Sequence, residues 1–96
     1  MSPVTWHRPR LAWDGARVIM AAIESGQQVR MALLLGRRLD PGYERAVEDS
    51  WLRLTLDPDR AMKEAGLWRA RLDDLIGLRP DLAPDLMAVI DEARRF

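Results

Sequence analysis

Few side chains in this sequence are of the type and spacing that chemistry requires. His7 is the only histidine, and it stands between Trp6 and Arg8 with no carboxylate beside it. A metal site would need partners at ligand spacing, such as H-x-x-x-H or E-x-x-H on a helix, and neither occurs. His7 therefore reads as a solvent-exposed residue, and no metal is expected. Cysteine is absent, which removes thiolate nucleophiles, zinc–thiolate sites and disulfides together. The serines and threonines are Ser2, Thr5, Ser25, Ser50 and Thr55. None lies in a G-x-S-x-G elbow, and the glycines form neither a P-loop nor a dinucleotide pattern.

Carboxylates occur as the neighbours Glu48-Asp49, Asp73-Asp74 and Asp91-Glu92. Adjacent residues of a helix point ~100° apart, so such a pair does not share one site. A di-metal carboxylate bundle would also want Glu-x-x-His motifs. These pairs read as solvated faces. No catalytic residue and no cofactor is expected, and the first reading is that the chain is not an enzyme.

The elements that would position these residues are helices. The chain has 96 residues, 48% of them hydrophobic and 31% charged, which suits one small globular domain. Residues 1–13 contain Pro3 and Pro9 with Trp6 and Trp13, and read as an extended arm whose tryptophans pack back onto the body. A single helical domain is expected over residues 14–96. Asp14 would cap a first helix with Ala16, Ile19, Met20 and Ile23 on one face. Ser25-Gly26 interrupts it, and Ser25 with Gln28 has the form of a capping box. Two helices are therefore expected rather than one kinked helix over residues 15–38. The second, over residues 27–38, is apolar around much of its circumference and is expected to be central.

Asp40-Pro41 and Asp57-Pro58 each carry a cap and an N1 proline in the favoured order. Tyr43, Val47, Trp51 and Leu54 form the stripe of the third helix. Ala61, Ala65, Trp68, Leu72 and Leu75 or Ile76 form that of the fourth. A last helix carries Leu82, Leu86, Val89 or Ile90, and Ala93 on one face, with Arg94 and Arg95 in its last turn. No stretch sustains the period of two that a strand needs. The fold expected is all-α: a compact bundle of four or five short helices with an extended N-terminal arm. Its core candidates are Leu33, Leu34, Trp51, Leu54, Trp68, Leu72, Leu86 and Ile90. Gly36 and Gly66 stand inside helices, where close helix–helix approach would explain them. The echo of Asp-Pro and Trp at an offset of 17 residues is too short a series for a solenoid.

The formal net charge is zero, which excludes a histone-like cation. The apolar runs over residues 18–23 and 31–35 are far shorter than the ~20 residues of a membrane span, and no export signal is read. The cytoplasm is the expected compartment. Arginine supplies fourteen of the fifteen basic residues, a bias that a GC-rich genome explains. Charge is nonetheless distributed unevenly. Residues 1–38 hold six arginines against two acids, and residues 39–96 hold nine basic against thirteen acidic residues. Such asymmetry points to an electrostatic partner. A basic half meeting another copy's acidic half would give a heterologous assembly.

Residues 60–76 (R-A-M-K-E-A-G-L-W-R-A-R-L-D-D-L-I) are similar to the reader helices of small bacterial repressors. That resemblance implies a turn at Ala65-Gly66 and DNA reading by Arg69 and Arg71. Met62 and Trp68 depart from the small residues of that pattern, and Asp73 and Asp74 would face phosphates. The leading reading is thus a protein–protein interaction module, an adaptor or assembly subunit, whose partner is another protein or itself. Its contact residues would be Trp6, Arg8, Arg10, Trp13, Arg37 and Arg38. A DNA-binding regulator is the second reading, with nucleic acid not the expected partner. A small helical enzyme with a pocket between subunits is the third.

Overall fold

A computed structural model describes residues 7–96, which fold as five α-helices with no strand among them. They are α1 (Arg8–Glu24), α2 (Gln28–Arg38), α3 (Gly42–Leu56), α4 (Ala61–Leu78) and α5 (Ala83–Ala93). Single 3₁₀ turns, Pro58–Arg60 and Pro80–Leu82, lead into α4 and α5. The all-α bundle expected from the sequence is the fold. No helix among the described residues is long and apolar enough to cross a membrane.

The arm expected over residues 1–13 is corrected over its second half. Arg8 to Trp13 are the opening turns of α1. Pro9 sits in the first turn, where a backbone N–H has no helical acceptor and its loss costs nothing. The proline starts this helix instead of preventing it. Asp14 consequently lies within α1, and His7 holds the cap position with extended backbone (φ −103°, ψ 116°). Trp6 lies outside the described residues.

The break between α1 and α2 falls where Ser25-Gly26 places it. Gly26 has φ +79°, and the Gln27 amide donates to the Ala22 carbonyl at 2.7 Å across the turn. This is a glycine-dependent helix stop. Ser25 does not cap α2; its hydroxyl donates back to the Ala22 carbonyl at 3.2 Å. No atom would crowd a Cβ at Gly26, so only backbone strain opposes one. Gly26→Ala is expected to lower stability by ~1 kcal/mol, measured by chemical denaturation. An unchanged midpoint would contradict the left-handed turn.

Both Asp-Pro signals act. The Asp40 carboxylate accepts from the Gly42 amide at 2.8 Å, and that of Asp57 from the Asp59 amide at 3.1 Å. Each satisfies a donor that the helix start leaves open.

The central helix is α1, not α2. It buries Leu11, Ala12, Gly15, Ala16, Ile19, Met20, Ala22 and Ile23 and packs on α4, α5 and α2. Small residues permit this: a Cβ at Gly15 would stand 2.6 Å from Leu72 Cδ1. By contrast α2 buries only Met31, Leu34 and Leu35. Of the expected core, Leu34, Trp68, Leu72, Leu86 and Ile90 are buried, and Trp51 and Leu54 pack partly against it. Leu33 is 54% exposed and does not belong to the core. Gly36 does mark a close approach, since a Cβ there would meet the Glu44 side chain of α3, whereas Gly66 faces open space.

Candidate functional site

Two features stand out once the helices are placed: a buried polar cluster between α3 and α4, and an apolar groove between α2 and α3. In the first, the short 3₁₀ link sends α4 back along α3. Ser50 and Arg53 share a face of α3, at i and i+3. Arg60, Glu64 and Trp68 stand at i, i+4 and i+8 across the start of α4. Glu64 has no solvent exposure. Its Oε1 accepts from the Ser50 hydroxyl at 2.8 Å and from Arg53 Nη2 at 2.9 Å. Its Oε2 accepts from Arg53 Nε at 2.8 Å and from Arg60 Nη2 at 3.2 Å. Trp68 Nε1 in turn donates to Ser50 Oγ at 3.1 Å.

The Arg53 hydrogen bonds hold the Glu64 carboxyl down at about 2 against burial, which pushes the other way, with Ser50 and Arg60 assisting Arg53. Such a carboxylate is a poor proton acceptor. Ser50 donates to it and gains no base. The cluster therefore ties α3 to α4 and does not activate a nucleophile. Around it, Tyr43 stacks on Trp68 with ring centroids 6.2 Å apart. Burial pushes the Tyr43 phenol up, with Arg71 opposing.

The second feature arises from helix periodicity. Val29 and Leu33, at i and i+4 on α2, are 68% and 54% exposed. They line a groove of about 590 Å³ whose α3 wall carries Trp51 and Val47. Glu44, Arg45 and Glu48 border it. Leu52, 44% exposed, stands seven residues after Arg45 and so extends the same face of α3.

Of the expected contact residues, Arg8, Arg10 and Trp13 lie on α1 and Arg37 and Arg38 at the end of α2, while Trp6 lies outside the described residues. Arg8 pairs with Asp73 of α4 at 3.0 Å. Arg37 lies 3.7 Å from Glu92 of α5. Trp13 is exposed on α1, with the Arg69 guanidinium 5.7 Å from its ring centre. Arg10 and Arg38 are exposed, Arg10 beside a shallow cleft against α5. Part of the charge difference between the chain's halves is thus neutralised inside the molecule.

The reader-helix arrangement is not formed over residues 60–76. Ala65 and Gly66 lie within the uninterrupted helix α4, so no turn separates two helices there. Arg69 and Arg71 also point apart, two residues on one helix being ~200° from each other. Arg69 stands over Trp13, and Arg71 over Tyr43 and Trp68 at 5.8 and 5.5 Å. Among the described residues no group of three or more His, Asp or Glu side chains is placed to hold a metal ion.

Sequence reasoning missed both main features. The signal for the first was present: Glu64 stands four residues before Trp68 on the buried stripe of α4, with Arg60 four residues before it. A carboxylate there needs buried partners. The groove was concealed because a helix that is apolar on most sides reads as central. Comparison with known protein families, with curated proteins and with solved structures finds no match to this chain.

Proposed function

We propose that this chain is a non-enzymatic protein–protein interaction module that works through the groove between α2 and α3. The observation that carries this reading is the exposed pair Val29 and Leu33 facing Trp51 across about 590 Å³. Apolar side chains at the centre, one aromatic anchor and a charged border make up the usual anatomy of a protein interface. Contact through segregated charge has less support, because Arg8 and Arg37 already meet acids within the fold.

The test is site-specific photo-cross-linking in cells. A photoreactive residue at Leu33 is expected to give a discrete protein adduct. The same residue at Leu78, which is 82% exposed and lies outside the groove, is expected to give none. Val29→Arg should suppress the Leu33 adduct while leaving stability within ~0.5 kcal/mol, as for other exposed positions. Equal labelling at both positions, or none at Leu33, would overturn the reading.

A further inference from the structure

We infer that α2 and α3 open from the rest of the molecule as one cooperative unit, hinged at Gly26 and Asp57 and latched by Glu64. This opening does not depend on what the groove binds. Two joints bound the hairpin. Before α2 the chain turns at Gly26, with φ +79°. After α3 it passes through Asp57 in extended backbone (φ −148°, ψ 91°). Joints at the ends of elements absorb a rotation without breaking a helix. Between them α2 and α3 pack chiefly on each other. α2 buries three residues of 11 and α3 three of 15, against eight of 17 in α1.

Much of what fastens the hairpin to the other helices is polar. Two of the three buried residues of α3, Tyr43 and Ser50, are those that meet Trp68 and Glu64 of α4. Arg53 adds its two hydrogen bonds to Glu64. On α2, Arg37 lies 3.7 Å from Glu92, and the Arg30 guanidinium stands 4.7 Å from the ring centre of Phe96. Met31, Leu34 and Leu35 supply the apolar remainder. Parting an apolar contact only exposes it to water. Parting the Glu64 cluster rehydrates a fully desolvated carboxylate, and that hydration offsets much of the lost attraction. The hairpin is therefore the least costly part of the fold to release. Once released, helices this short are marginal in water, so their amides exchange with solvent in the open form. Such cooperative units often coincide with supersecondary motifs.

Amide hydrogen exchange, followed by NMR at rising urea below the unfolding transition, tests this. In the parent chain the amides of Leu34, Leu35 and Val47 are expected to exchange through one shared opening. They should do so roughly tenfold or more faster than those of Ile19 and Leu72. Their urea dependence should be shallower, because less surface is exposed. Glu64→Gln weakens the closed form alone and should speed the hairpin on the order of a hundredfold. Leu86→Val thins the contact of α5 with α1 beside Gly15. It should speed Ile19 and Leu72 and leave the hairpin unchanged, because that contact persists in the open form. A single rate and urea slope for all five helices in the parent chain would overturn the inference without any variant. Hairpin rates indifferent to Glu64→Gln, or moved by Leu86→Val together with those of α1, would do the same.

Discussion

Replacing Glu64 with glutamine is expected to destabilise the fold by about 3 kcal/mol at neutral pH. Breaking a buried ion pair generally costs ~3–5 kcal/mol, because the surviving charge is left without its partner. The low end applies here, since Arg53 and Arg60 are partly exposed, at 45% and 32% of their side chains, and can turn to water. The pH dependence comes from the direction of the shift. The Glu64 carboxyl is lowered from 4.5 to about 2 in the fold. Its contribution is therefore complete above pH 4.5 and is lost as the pH falls from there through about 2. Parent and Glu64→Gln proteins should differ most at pH 7 in urea unfolding and should converge near pH 2. A gap of constant size across that window would mean that the ionised carboxylate is not the source. Against a total stability of ~5–15 kcal/mol for a domain, this one side chain decides a large share.

Trp68→Ala is expected to cost ~3–5 kcal/mol. Trp68 is 4% exposed, packs on Tyr43 and donates to Ser50, so truncation leaves a cavity and loses a hydrogen bond. Trp68→Phe keeps most of the ring and should cost ~1 kcal/mol, chiefly the lost donor. The two large effects should not add. Trp68 and Glu64 share Ser50, and residues in one hydrogen-bond network couple by ~0.5–3 kcal/mol. A double-mutant cycle with Trp68→Phe and Glu64→Gln measures that coupling. A melting curve unaffected by Trp68→Ala would contradict the packing of α4 on α3.

The fold was legible where local chemistry and tertiary packing agree. Asp40-Pro41, Asp57-Pro58 and Ser25-Gly26 act on the backbone within a few residues, so their consequences are visible in one dimension. Pro9 misled because proline is compatible both with an extended arm and with a first helical turn, and the choice rests on whether the next residues find a helix to pack against. The rank of α1 and α2 was inverted because a count of apolar residues ignores size. Ala12, Gly15 and Ala16 let neighbouring helices come close, while Val29 and Leu33 add apolar surface that nothing in the fold covers. The Ser50–Glu64–Trp68 cluster spans 18 residues, and no local pattern reveals a partner at that distance. Arg69 and Arg71 looked alike in sequence, yet the helix turns them onto different aromatic neighbours.

The place of α1 also sets the order of assembly. It leaves the ribosome before the other helices, yet its central contacts lie with α4, as in the Arg8–Asp73 pair 65 residues apart and the meeting of Gly15 with Leu72. At ~5–20 residues per second, α1 waits several seconds with Arg8 and Gly15 lacking their neighbours on α4. The local α2–α3 hairpin has no such delay, because both of its helices are complete once residue 56 emerges. For an all-helical chain this is a high separation between contacting segments, which slows the last docking step. Nascent α1 is thus open to chaperones during that interval, and a stalled chain ending before α4 would leave its α4-facing side uncovered.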